Sequence, residues 1–203
     1  MTQTVILASG NPGKLSEMNQ LLATCGLTVK PQSDFDVTDA DETGLTFIEN
    51  SIIKARHAAS ITGLPALADD SGLEVDALNG APGIYSARYA TQHDRPAGDV
   101  SNYELLLEQL DGLPTEQRTA RFRCVVVLMR HATDPAPLIA QGTWEGRILT
   151  EPDGVGGFGY DPVFYSPERG CAAACLDKAT KNSLSHRGKA LASLTSQLTD
   201  IHW

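Results

Sequence analysis

Two adjacent carboxylates, Asp69 and Asp70, close a short apolar segment, Leu64 to Ala68, and Ser71-Gly72 follows at once. Carboxylates set side by side repel. A pair kept together points to a divalent cation that needs their charge, or to a proton acceptor with a raised pKa. The simpler alternative is an aspartate that opens a Ser-Gly turn. We expect an acidic site on a sheet edge, with a turn after Asp70.

A second chemical feature lies near the N-terminus. Ser9-Gly10-Asn11-Pro12-Gly13-Lys14 stands between an apolar strand, Thr4 to Ala8, and a helical spacing at Leu15, Met18, Leu22 and Cys25 that stops at Gly26. Small residues at a strand-to-helix junction let backbone N–H groups approach an anion, the helix N-terminus adds positive potential, and Lys14 supplies a full charge. The loop is not a Walker A motif, because Leu15 stands where Ser or Thr would hold magnesium. A plain strand-to-helix turn is the alternative.

Two further clusters carry donors or rings. Gly154-Val155-Gly156-Gly157-Phe158-Gly159-Tyr160-Asp161-Pro162 combines backbone freedom with two aromatic rings and a carboxylate, so it can wrap a flat ring, with Phe158 stacking and Asp161 reading an edge. Phe158 and Tyr160 as core plugs of a hairpin corner are the alternative. Lys181 and then Ser185-His186-Arg187-Gly188-Lys189 offer hydrogen-bond donors ahead of the last helix.

The elements that must hold these groups are legible in part. Thr46 and Glu49 form a capping box, and Ile48, Ile52, Ala55 and Ala59 an apolar face, before Gly63 and Pro65. Asn50, Lys54 and His57 fall on another face of that helix, toward the acidic run Asp34 to Glu42, or else into solvent. Leu27 to Val29 and Leu73 to Leu78 read as strands, and Asp99 to Leu110 as a helix. Arg121 to Met129 and Leu138 to Leu149 form an antiparallel hairpin with a longish loop. Leu191, Leu194, Leu198 and Ile201 make a closing amphipathic helix. The fold class is α/β with a mixed sheet.

A chain of 203 residues can bury roughly 70% of its unfolded surface. One domain spanning 1–203 is expected. The net charge of −9 argues against a nucleic-acid binder. No stretch reaches membrane-spanning length and no basic leader precedes the first apolar run, so a cytoplasmic protein is expected. Cys25, Cys124, Cys171 and Cys175 are irregularly spaced, which argues against a disulfide framework, and nothing beside Cys171 and Cys175 completes a zinc site.

Taken together, Ser9–Lys14, Glu42-Thr43-Gly44-Leu45-Thr46-Phe47, Ala68-Asp69-Asp70-Ser71-Gly72-Leu73, Gly80-Ala81-Pro82-Gly83-Ile84-Tyr85-Ser86-Ala87-Arg88, Gly157-Phe158-Gly159-Tyr160-Asp161-Pro162 and Ser185-His186-Arg187-Gly188 resemble the inosine triphosphate pyrophosphatase family. These house-cleaning enzymes hydrolyse XTP, ITP and dITP. The resemblance covers nearly the whole chain. It implies an elongated two-lobed fold around a long mixed β-sheet, with the active site in the cleft between lobes, and a homodimer.

The resemblance also implies roles. Ser9, Gly10, Asn11, Pro12, Gly13 and Lys14 would bind the triphosphate. Asp70 would be proton acceptor and Mg²⁺ ligand, with Glu42 beside the metal. Lys54 and Ser71 would touch substrate, and Phe158, Gly159, Tyr160, Asp161, Lys181, His186 and Arg187 would form the base pocket. Where relatives carry an acid ahead of the lysine, this chain has Cys171-Ala172-Ala173-Ala174-Cys175-Leu176-Asp177 and Thr180, so the local support of Lys181 is in question. The implied reaction is Mg-dependent release of pyrophosphate from aberrant purine nucleoside triphosphates. A nucleotide-sensing module without catalysis, or a pyrophosphatase of other modified nucleotides, are the alternatives.

Overall fold

The computed structural model describes residues 3–198; of the closing helix positions, Ile201 lies outside them. The strands are β1 (Gln3–Leu7), β2 (Leu27–Pro31), β3 (Ala66–Val75), β4 (Thr119–Met129), β5 (Leu138–Ile148), β6 (Phe164–Ser166) and β7 (Cys171–Ala172). They form one open sheet of seven strands in the order β2-β1-β3-β4-β5-β6-β7. It is mixed: β1 runs parallel to β2 and to β3, whereas β5–β6 and β6–β7 are antiparallel. The helices are α1 (Pro12–Leu22), α2 (Phe47–Thr62), α3 (Asp99–Gln109), α4 (Lys178–Leu184) and α5 (His186–Gln197).

The chain divides into two compact units. The first comprises residues up to Asp70, 124–142, and those from Arg187 on. Its inner strands β1 and β4 are apolar on both faces, as expected where helices cover both sides of a sheet. The two-residue period sends Val5, Leu7, Cys124, Val126 and Leu128 into one core with Met18 and Leu22 of α1 and Leu191 and Leu194 of α5. Ile6, Ala8, Val125, Val127 and Met129 turn the other way, onto Ala55, Ala58 and Ala59 of α2. The capping box reads as expected: Thr46 Oγ1 accepts the Glu49 N–H at 3.2 Å, and Glu49 Oε2 accepts the Thr46 hydroxyl at 2.9 Å.

The second unit comprises Ser71–Arg123 and Thr143–His186. Its core gathers Leu73, Val75, Phe122, Trp144, Ile148, Tyr160 and Phe164 with Leu106 and Leu110. The alternate residues carry ion pairs instead: Arg121 with Asp76 at 2.7 Å and Glu145 at 3.0 Å, Arg123 with Glu74 at 3.0 Å. Such in-out alternation belongs to a sheet covered on one face.

Two expectations are corrected. No turn follows Asp70, because β3 runs unbroken from Ala66 to Val75, merging the acidic segment with the strand expected at Leu73 to Leu78. Residues 76–78 form a 3₁₀ turn. Nor is β3 an edge strand, since it lies between β1 and β4. Burial of nearly the whole strand outweighs the local turn signal of Asp-Ser-Gly. No helix among the described residues is long and apolar enough to cross a membrane.

Candidate active site

β1 pairs with β3 only at Ile6↔Ala66 and Leu7↔Leu67. The Ala8 N–H donates to Leu67 O at 2.8 Å, and the chain then turns into the glycine loop. Asp69 and Asp70 therefore stand just beyond the point where β1 leaves β3, a place where an open parallel sheet frees backbone and side chains for a ligand.

Asp69 and Asp70 point to opposite faces of the strand, as consecutive strand residues must. Lys14 Nζ lies 2.9 Å from Asp69 Oδ1, and Arg187 Nε lies 3.4 Å from Asp69 Oδ2. Burial alone would raise the Asp69 pKa. The charges of Lys14 and Arg187 overcome it and hold this carboxyl well below the usual range. Arg187, expected beside the base, is thus an ion-pair partner of the acidic strand and is itself buried.

Asp70 faces α2. Lys54 Nζ lies 3.0 Å from its Oδ1, and Asn50 donates through Nδ2 to its Oδ2 at 3.4 Å. Lys54 also meets Glu42 Oε1 at 2.8 Å. Here burial wins: it pushes the Asp70 pKa up despite Lys54. Burial lowers the Lys54 pKa, but the charge of Asp70 and the bond to Glu42 outweigh it, so the lysine is held charged. Acid–base sites and structural ion-pair networks both push neighbouring carboxyls apart in this way.

The glycine loop is more self-bonded than its sequence implies. Asn11 caps α1, its Oδ1 accepting the N–H groups of Gly13 at 2.8 Å and Lys14 at 3.3 Å, while Ser9 Oγ accepts the Asn11 N–H at 3.2 Å. Pro12 opens the helix at a position where a missing N–H costs nothing. Gly10 completes the loop. Two amides expected to face an anion are therefore held by Asn11. Ser71 follows Asp70 on β3.

In the second unit Lys181 pairs with Asp161, and its ammonium sits 4.7 Å from the centre of the Phe158 ring. Asp161 Oδ2 also accepts the Phe158 N–H at 2.8 Å. Phe158 is 49% exposed, whereas Asp161 is 3% exposed. The bend is possible because Gly157 has φ +76°, and a Cβ there would meet Asp161 Oδ2 at 2.1 Å. Lys181 thus takes its support from Asp161. The Cys171–Cys175 stretch braces the same loop from below: Ala174 O accepts the Gly156 N–H at 3.1 Å, and the Ala174 N–H donates to Asp161 O at 3.2 Å.

Tyr160 is a correction. It is buried in the core, and its hydroxyl donates to Ser86 O at 2.9 Å, so it anchors the loop and presents no ring to a ligand. The Gly159 N–H is held by Asp99 at 2.7 Å. His186 stacks on Phe122, centroids 4.7 Å apart. Asn50 has no role that sequence motifs give it, although its spacing four residues before Lys54 was the available signal.

Among the described residues, no three His, Cys, Asp or Glu side chains converge on a metal position. Glu42 and Asp70 do converge on one cation, Lys54 Nζ. Two carboxylates with oxygen-only donors fit a hard ion such as Mg²⁺ that draws its other ligands from water and substrate phosphates.

A mixed α/β sheet with buried aspartates midway along β3, just past the point where β1 leaves it and beside a lysine-bearing loop at a helix start, places the molecule among α/β enzymes. The model of the Ham1 family matches residues 5–197, and the chain belongs to that family. It is 60% identical over 195 residues, 96% of each chain, to the dITP/XTP pyrophosphatase of Vibrio parahaemolyticus serotype O3:K6 (strain RIMD 2210633). A HAM1 protein from Coxiella burnetii superposes with a TM-score of 0.92 at 51% identity, covering 98% of this chain and 100% of that one. The Staphylococcus aureus Ham1 protein gives a TM-score of 0.86 at 38% identity, covering 97% and 98%.

Proposed function

We propose that this chain hydrolyses aberrant purine nucleoside triphosphates, dITP, ITP and XTP, to the monophosphate and pyrophosphate. The observation that carries the reading is geometric: buried Asp70 meets Glu42 across Lys54, and Asp69 beside it pairs with Lys14 of the glycine loop. The name of the 60% identical Vibrio relative supports the same chemistry.

In this reading Lys14 and the amides of the loop from Ser9 to Lys14 take the triphosphate, Asn11 yielding the Gly13 and Lys14 N–H groups as phosphate oxygens arrive. Asp70 accepts a proton from the attacking water, whose oxygen bonds to phosphorus as the bond between the α and β phosphates breaks. Such general-base help is worth about 10²–10⁴-fold. Mg²⁺ held by Glu42 and Asp70 would spread the charge of the phosphates and polarise the water. Lys54 orients both carboxylates.

Selectivity rests on Lys181. Fixed by Asp161 and Phe158, its ammonium donates to a keto oxygen on a purine stacked against the Phe158 ring. An adenine amino group would leave that donor unpaired, and sites built on such donors reject the wrong partner by about 10⁴–10⁵-fold. The homodimer and the cytoplasmic location stand with this proposal.

The test is pyrophosphate release from dITP, ITP, XTP and the four common triphosphates, with and without Mg²⁺. Release from dITP and XTP but not ATP is expected. No pyrophosphate from any of these would leave a nucleotide-sensing module or a pyrophosphatase of other modified nucleotides.

A further inference from the structure

We propose that Asn50 is a positioning residue, the uncharged prong of a clamp by which one turn of α2 sets the spacing between the acidic loop and Asp70. The inference rests on the pyrophosphatase reading and extends it to a side chain with no assigned role.

Asn50 is 0% exposed. Its Oδ1 accepts the Gly44 N–H at 2.9 Å, and its Nδ2 donates to Asp70 Oδ2 at 3.4 Å. The first bond fixes the amide's orientation, because only the oxygen can accept, and so turns the NH₂ group toward Asp70. One turn further on, Lys54 repeats the pattern with charge, joining Glu42 Oε1 at 2.8 Å to Asp70 Oδ1 at 3.0 Å. Residues four apart share a helix face. Each prong thus bridges the same two partners, the loop at 42–44 and one oxygen of Asp70.

The two prongs differ in what they constrain. Lys54 is flexible and attracts both carboxylates from a range of positions. Asn50 is short and planar and admits one geometry. Its fit to the loop is close: a Cβ on Gly44 would lie 2.7 Å from Asn50 Oδ1 and 2.6 Å from Glu49 Cβ. Because the triphosphate is assigned to Lys14 and the loop from Ser9 on, loss of Asn50 should misplace Asp70 without weakening substrate binding. A misplacement of about 1 Å costs on the order of 10²-fold in rate.

The experiment compares wild type, Asn50→Leu, Asn50→Asp and Gly44→Ala. It measures steady-state pyrophosphate release from dITP, calorimetric binding of a non-hydrolysable α,β-methylene triphosphate, and thermal unfolding. Asn50→Asp keeps an acceptor for Gly44 but turns a carboxylate toward Asp70. Gly44→Ala keeps the Asn50 side chain but drives the loop off its Oδ1, and it tests the same contact from the loop side if the buried substitutions do not fold. Expected for each folded variant is a kcat loss of at least about tenfold, with KM and analogue Kd within about threefold of wild type. A kcat within threefold of wild type in any folded variant overturns the proposal. So does an analogue Kd that weakens as much as kcat/KM, which would make Asn50 a binding residue. An inactive wild type would instead remove the pyrophosphatase reading itself, and the clamp with it.

Discussion

Asp69 and Asp70 are consecutive on β3 and are gripped by different lysines, Lys14 at 2.9 Å and Lys54 at 3.0 Å. This separates an anchoring carboxylate from a reacting one, and the two amide substitutions should therefore fail in different ways. Asp70→Asn keeps the shape and the Lys54 contact but cannot take a proton. Its kcat is expected to fall by about 10²–10⁴-fold with analogue binding retained; turnover within tenfold of wild type would refute the assignment. Asp69→Asn removes the charge that Asp69 sets against Lys14 and the buried Arg187, and breaking a buried pair costs about 3–5 kcal/mol. It should lower the unfolding midpoint clearly, which differential scanning calorimetry reads.

The raised pKa of Asp70 fixes the sign of the pH dependence. A base with a raised pKa stays protonated, and idle, to a higher pH than an ordinary carboxylate. The acidic limb of kcat/KM should lie higher than that of an unperturbed aspartate. Lys54 opposes the rise through its charge and hydrogen bond. Lys54→Met should therefore move the limb further toward alkaline pH, and a limb that stays put or moves to lower pH would show that a different group titrates.

Stability at low pH is governed by the opposite case. Asp134, its side chain fully buried, accepts from Arg130 Nε at 2.9 Å and Nη2 at 2.6 Å, and from the N–H groups of Arg130 and Ala136 at 3.0 Å each. Hydrogen bonding from Arg130 holds its pKa well below the usual range. A depressed folded-state pKa gives stability that is present above the unfolded value, about 3.9, and is lost as pH falls through the folded one. Asp134→Asn should lower stability at neutral pH and flatten the loss below pH about 4; parallel acid-unfolding curves for variant and wild type would contradict this.

How far the residues announced all this depends on how local each signal was. The Thr46–Glu49 box and the Gly63 stop lie within the α2 segment itself, so the helix was legible, and so was the face carrying Asn50, Lys54 and His57. The strand through Asp69 and Asp70 is not legible as one element, because Asp-Ser-Gly is a turn signal in isolation and only the burial of the strand in the sheet overrides it. The turn of Lys54 toward the acidic run was legible, and it meets Glu42 there, whereas the partners of Asp69 come from distant parts of the chain. Arg187 reaches Asp69 from 118 residues away in the chain. Asp161 and Lys181 each stand in a recognisable motif, but their pairing across 20 residues depends on the bend at Gly157.

That bend makes the loop a sensitive test of base recognition. Gly157→Ala must place a side chain at φ +76°, costing about 1–2 kcal/mol, and its Cβ would drive into Asp161 Oδ2. Asp161 would move off Lys181 and off the Phe158 N–H. KM for dITP is expected to rise by about tenfold, equivalent to about 1.4 kcal/mol, with a smaller change in kcat. The dITP:ATP preference should narrow as well. An unchanged preference with raised KM would mean that Lys181 does not read the base.

The ion pairing of Glu42 and Asp70 separates folding from metal binding. Lys54 already neutralises charge at both carboxylates, at 2.8 Å and 3.0 Å, so the acids need no bound cation to remain side by side in the folded chain. Many metal sites couple binding to folding because their ligands repel when empty. Here the lysine takes that part. Chelation should therefore abolish pyrophosphate release while moving the unfolding midpoint by less than about 2 °C, which for a chain of this size is under about 1 kcal/mol. In Lys54→Met the repulsion returns, and Mg²⁺ should raise the midpoint measurably. A wild-type midpoint that collapses on chelation, or a Lys54→Met midpoint indifferent to Mg²⁺, would show that the lysine does not stand in for the ion.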